Sequence, residues 1–180
     1  MGDRVIDLEE EFLDLMKREE IFAFFDFSLS LPADSTVSGL CKISRPKPAD
    51  SGSHYFSMVF MLDAADDRAC RAINEYFKAI DWEELGRAVP GILSFAPMPC
   101  LSQRAGVYIT EVDVYLTAGG LTKNFLERFH SALAEGMRIR AENPIYWDDL
   151  PQELKPVMES KTTSTTPLRS FLDRIRKISR

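Results

Sequence analysis

The apolar positions of this chain repeat with two periods, one typical of strands and one typical of helices. Alternating or continuous apolar runs predict strands over residues 21–31, 37–44, 55–62, 92–96 and 107–116. The run at 55–62 is apolar at nearly every position, so we expect this strand to be buried on both faces, at the centre of a sheet. Apolar residues three or four apart predict helices over residues 5–20, from Asp63 to about Ala79 or Ala88, and from Thr122 to about Glu142.

The resulting order of elements is α-β-β-β-α-β-β-α. It predicts an α+β domain over residues 1–143, with a mostly antiparallel five-strand sheet and helices packed on it. After this domain the composition changes. We predict a C-terminal arm over 144–160, a flexible linker over 161–167 and a basic amphipathic helix over 168–180.

This order resembles the type III secretion chaperone-like fold, which includes the YbjN-type putative sensory transduction regulators. The resemblance extends to the middle helix, with Ala69-Cys70-Arg71-Ala72-Ile73-Asn74, and to the closing strand, turn and last helix, with VYITEVDVYL, GGLT and FLERFHSAL. It covers about three quarters of the chain. It implies a binding module that presents a sheet and apolar patches to a partner polypeptide, and that is often a dimer.

The charge balance bears on the class of partner. The chain has 22 Lys and Arg against 28 Asp and Glu, a net charge of −6. Residues 168–180 hold five of the basic residues and one acidic residue, which leaves −10 on residues 1–167. An acidic body repels nucleic acid, so we expect no nucleic-acid partner for it. We also expect no membrane span and a cytoplasmic location, because no long uncharged apolar run or secretory leader is present.

The residues with reactive or metal-binding side chains form no recognisable motif. Cys41, Cys70 and Cys100 are about thirty residues apart, which does not suit a zinc site, and we expect Cys41 and Cys70 to be small buried hydrophobes. Glu111 and Asp113 share one face of a strand, where we expect a solvated surface or a match to basic residues of a partner. We therefore predict no enzyme activity, no cofactor and no metal.

The candidate binding residues are apolar side chains without an obvious cover. If helices pack on one face of the sheet, aromatic and aliphatic residues on the opposite face remain as an interaction patch. The alternative is that the arm at 145–157 covers them within the same chain. The candidate partner-binding residues are Phe22, Phe24, Val107, Ile109, Tyr115 and Trp147, with Phe171 and Ile175 of the basic helix.

Two functional hypotheses from different classes remain open. The first is a non-enzymatic regulatory or chaperone-like protein that binds a protein or peptide partner, and that forms a homodimer. The second is a ferredoxin-like small-molecule or nucleotide-responsive sensor domain, an interpretation that residues 55–142 alone allow. The basic helix at 168–180 is expected to dock on this protein's own acidic body or a second subunit, to dock on an external partner, or to remain disordered.

Overall fold

The computed structural model of the chain describes residues 21–32, 35–64, 66–98, 102–104, 106–117 and 120–150. The predicted helix at 5–20, the linker, the basic helix and most of the arm lie outside these residues.

The described residues form one antiparallel sheet with α-helices, as the sequence predicts at the level of fold class. The strands are β1 (Ile21–Leu31), β2 (Ser35–Ser44), β3 (Lys47–Pro48), β4 (His54–Ala64), β5 (Ile92–Pro97), β6 (Ser102–Arg104), β7 (Gly106–Leu116), β8 (Arg140–Ala141) and β9 (Ile145–Tyr146). The helices are α1 (Asp67–Lys78), α2 (Trp82–Ala88) and α3 (Lys123–Met137), with short 3-10 turns at Asp50–Gly52 and Trp147–Asp149.

The strand order along the sheet is β5-β7-β4-β2-β1-β8, with β3 beside β4, β6 beside β7 and β9 beside β1. Its five longer members are the five predicted strands, and β4 is central as expected. The expected five-strand count is too low, since the sheet has nine strands within the described residues alone. The four additions are two or three residues long. β3 and β6 lie in segments predicted as loops, β8 lies in the predicted end of the last helix, and β9 lies in the predicted arm.

Helix boundaries differ from the predictions at the capping residues. The first helix is capped by Asp66, whose side chain accepts from the Ala69 N–H, and not by Asp63, which still belongs to β4. A second cap, Asp81, starts α2 as a separate helix. The last helix ends at Met137 and not near Glu142, because Arg138 adopts a left-handed conformation with φ of 56°.

The three α-helices cover one face of the sheet, here called the helix-side face. Its core includes buried side chains of β1, β2, β4 and β7, with partly buried residues of β5 packed against them. Aromatic contacts join these elements: the Phe60 ring centroid lies 5.9 Å from that of Phe27 and 5.2 Å from that of Phe77. The Tyr76 hydroxyl donates to the Met137 carbonyl oxygen at 2.5 Å and joins α1 to the end of α3. Cys41 and Cys70 lie in this core, as predicted.

Gly39 of β2 has no room for a side chain on the helix-side face. A Cβ atom there would lie 2.6 Å from Cζ of Phe27 and 2.9 Å from the Met61 carbonyl oxygen. The backbone of β4 cannot move aside without disturbing the sheet. We therefore expect Gly39→Ala to lower the free energy of unfolding by about 1–3 kcal/mol in urea titrations. Ser38→Ala, at the exposed neighbouring position, is the control and should change it by less than about 0.5 kcal/mol.

Candidate functional site

The face of the sheet opposite the helices, here called the second face, is the candidate partner-binding site. Its side chains follow from strand register: Phe24 pairs with Lys42, Lys42 with Val59, and Val59 with Glu111 across four adjacent strands. The buried apolar residues of this face are Ile21, Phe24, Leu40, Val59, Met61 and Ile109.

The apolar part of the second face is almost completely shielded from solvent. Its six side chains are at most 4% exposed. None of them belongs to the core cluster beneath the helices, so the three α-helices of the described residues do not account for this shielding.

Lys42 lies in the centre of this face and is 1% exposed. The desolvation of an uncompensated ammonium costs several kcal/mol, and Lys42 is accordingly not without an interaction partner in the chain. Burial raises the pKa of the neighbouring Cys41 thiol well above its usual value, which the charge of Lys42 opposes only in part. Cys41 is therefore an unreactive thiol.

Polar residues, most of them half-buried, surround the apolar centre. Tyr55 and Tyr115 stack with their ring centroids 5.5 Å apart, and the Ser57 hydroxyl donates to Oδ1 of Asp113 at 2.8 Å. Asp26 and Glu111 lie on the same face and are half-buried. An apolar centre with a polar, tyrosine-containing rim is the usual composition of a protein–protein interface.

The structure places the predicted binding residues in different surroundings. Phe24 and Ile109 belong to the second face but are buried within the chain, so the open patch expected there is not exposed. Tyr115 is on its rim, and the backbone of Val107 pairs with Asp63 at one end. Trp147 is half-buried in the turn beyond β9. Phe171 and Ile175 lie outside the described residues.

Phe22 is the clearest correction to the predicted faces. Simple alternation places it beside Phe24, but the register of β1 and β2 shifts between Ile21 and Ala23. This bulge puts Ile21 opposite Ser44, on the second face, while the Phe22 ring contacts Tyr146 edge-on at 5.6 Å and packs against the helix-side core.

Sequence reasoning missed the centre of the site. Leu40 and Lys42 occupy alternate positions of β2, and Val59 and Met61 do so in β4. The alternation of side chains along β2 and β4 indicates which residues share a face within each strand. A lysine in a strand, however, normally indicates an exposed position. The burial of Lys42 could not be predicted from the pattern.

Two aspartates of the arm make ion pairs within the chain. Arg45 Nη2 lies 2.7 Å from Oδ1 of Asp148, and Lys123 Nζ lies 2.8 Å from Oδ2 of Asp149. The hydrogen bond from Asp149 raises the pKa of Lys123. These contacts attach the turn after β9 to the end of β2 and to the start of α3.

His130 of α3 gives the chain a pH-dependent contribution to stability. Its ring packs edge-on against Phe25 at 4.7 Å, and burial lowers its pKa, an effect that a hydrogen bond with the Glu142 backbone opposes. The folded chain therefore binds this proton less readily than the unfolded chain. As the pH falls from neutral through the ordinary histidine pKa, we expect the free energy of unfolding to decrease until the lowered pKa is reached.

Urea unfolding at a series of pH values measures this decrease. His130→Gln should flatten the slope in that window, whereas Ser131→Ala, at the exposed next position of α3, should leave it as in the wild type. An unchanged slope in His130→Gln would show that other groups cause the pH dependence.

Comparison with known proteins adds no relative. Neither the family models, nor the curated proteins, nor the solved structures include a match to this chain. The resemblance to the chaperone-like fold thus remains a prediction from the order of its elements. In the described part of the chain, no three His, Cys, Asp or Glu side chains are grouped as metal ligands require, and no helix is long and apolar enough to cross a membrane.

Proposed function

We propose that this protein is a non-enzymatic regulatory or chaperone-like protein that binds a polypeptide partner through the second face. The observation that carries the proposal is the burial of six apolar side chains on a face that the described α-helices leave uncovered. A surface of this composition gains free energy when an apolar stripe of polypeptide lies on it.

The edge strands of the sheet are protected from pairing with another strand, which favours binding at a face of the sheet over binding by strand addition. Edge strand β5 has six residues, includes Pro97 and has a register shift between Ile92 and Ser94. Proline and bulges are features that protect an edge from pairing with another chain. On the other side, β8 and β9 pair with β1 and cover part of that edge.

Fluorescence anisotropy with short labelled peptides tests this function on the full chain. The probes are an acidic amphipathic helix, a basic amphipathic helix and an extended peptide with alternating valines. We expect at least one to bind, and Val59→Ala and Ile109→Ala to weaken that binding several-fold. Leu93→Ala is the control, because Leu93 is 56% exposed on edge strand β5. Absence of binding, or equal binding by all variants, would contradict the proposal.

A further inference from the structure

We infer that the clasp, defined as β9 and the turn that follows it (residues 145–150), gates the second face: closed, it covers the outer side of Phe24, and a polypeptide partner binds the form in which it has opened. The inference rests on the proposed function, since the partner is the one proposed for the second face. Three features of the clasp carry it: its position beside Phe24, its attachment by exposed ion pairs, and the hinge that precedes it.

The first feature is the position of the clasp at one side of the second face. Ile145 pairs with Phe24 of β1 in register, so both side chains lie on the same face of the sheet. Phe24 pairs in turn with Lys42 of β2 and is 0% exposed. Opening of the clasp therefore uncovers the outer side of a buried aromatic ring. Aromatic side chains of this kind are the usual anchors for a polypeptide partner.

The second feature is the attachment of the clasp, which depends largely on side chains. Its strand β9 is only two residues long. Asp148 lies 2.7 Å from Arg45 and Asp149 lies 2.8 Å from Lys123, and each of the four side chains is at least 35% exposed. Exposed ion pairs contribute little to stability and are screened by salt. The clasp can therefore detach locally while the rest of the sheet remains folded.

The third feature is the hinge between β8 and the clasp. β8 pairs with Phe27 and Ser28 of β1, and the Glu142 N–H donates to the Asp26 carbonyl oxygen at 2.9 Å. The chain is thus held on the sheet up to this point. Asn143 is exposed, and no backbone hydrogen bond of the described residues fixes it to β1. Movement of the clasp can therefore be confined to the residues after Glu142.

The closed form is the resting state, because opening exposes apolar surface. Leu150 is 6% exposed when the clasp is closed, and the Tyr146 ring contacts Phe22 edge-on at 5.6 Å. A partner that binds only the open form binds more weakly by the fraction of chains that are open. A change that favours opening should therefore tighten partner binding, and a change that holds the clasp shut should weaken it.

Removal of the two aspartate charges tests the opening itself. In the full chain, Asp148→Asn combined with Asp149→Asn should increase amide hydrogen exchange several-fold in peptides covering 21–28 and 143–150 on mass spectrometry. Exchange in 106–116 should not change, because β7 lies away from the clasp. Glu75→Gln is the matched control, since it breaks an exposed ion pair with Lys78 on α1. Unchanged exchange at 21–28 in the double variant would overturn the inference.

Partner binding tests the gate in both directions, with the three labelled peptides of the anisotropy experiment as probes. The double asparagine variant should bind a peptide several-fold more tightly than the wild type, and Glu75→Gln should bind it equally. To lock the clasp, Arg45→Cys and Asp148→Cys are joined by a short bismaleimide in a Cys100→Ser background; the two other cysteines are buried.

The locked protein should bind several-fold more weakly than the same variant with both introduced cysteines capped by N-ethylmaleimide. Equal binding by the locked and capped forms would overturn the inference. If that binding is still weakened by Val59→Ala and Ile109→Ala, the proposed function stands without the gate. If none of the peptides binds the wild-type, double asparagine or capped protein, the proposed function fails and the gate fails with it.

Discussion

Phe60→Ala should lower the free energy of unfolding by about 3–5 kcal/mol. Phe60 is fully buried in the central strand β4, and its ring contacts Phe27 of β1 and Phe77 of α1. Truncation loses the free energy that burial of the ring contributes to folding. It also leaves a cavity between the sheet and α1, because neither element can move far enough to fill it. Because a domain of this size is stable by about 5–15 kcal/mol, the variant should be close to unfolding near body temperature.

Urea unfolding followed by circular dichroism measures this loss, with the m-value showing whether the transition remains two-state. Phe60→Leu is the matched control, since it keeps most of the volume and should cost less than about 1.5 kcal/mol. A loss for Phe60→Ala no greater than that of Phe60→Leu would contradict the packing of β4 against α1.

The central position of β4 was predictable because it depends on hydrophobicity alone. Val59 and Phe60 point to opposite faces and are both buried, which requires apolar residues at consecutive positions. The long strands and α1 follow from the same pattern. This explains why the five long strands agree closely with the segments expected from the sequence.

The placement of Phe22 was not predictable from the sequence. A bulge changes which face of the sheet a residue lies on, but it does not change the pattern of apolar and polar residues that the sequence shows. The left-handed Arg138 that ends α3 is similar: arginine does not favour that conformation, so the residue type at this position does not indicate the end of the helix. The short strands β8 and β9 exist because the chain returns to the edge of β1, and such pairing leaves no local signal.

The two faces of the sheet thus differ in the side chains that they bury. The helix-side face has a connected cluster of aromatic rings, whereas the second face has Phe24 and five aliphatic or methionine side chains around a lysine. A buried lysine gives up stability that an apolar residue of similar volume would provide.

Lys42→Glu should be among the most damaging single substitutions on the second face. It replaces a buried ammonium by a buried carboxylate and disrupts the interactions that Lys42 makes in the chain, so we expect a loss of at least about 3–5 kcal/mol. Burial disfavours the charged form of the new glutamate, so its pKa should rise. The difference in unfolding free energy between variant and wild type should then shrink as the pH falls and the glutamate becomes neutral.

Ser38→Glu is the control, because Ser38 lies on the same face of the same strand as Lys42 but is exposed. Its effect should stay within about 0.5 kcal/mol at every pH. Lys42→Met should be milder than Lys42→Glu, since methionine fills the site without introducing a negative charge. Equal losses in the glutamate and methionine variants, with no dependence on pH, would show that Lys42 acts through its aliphatic chain and not through its charge.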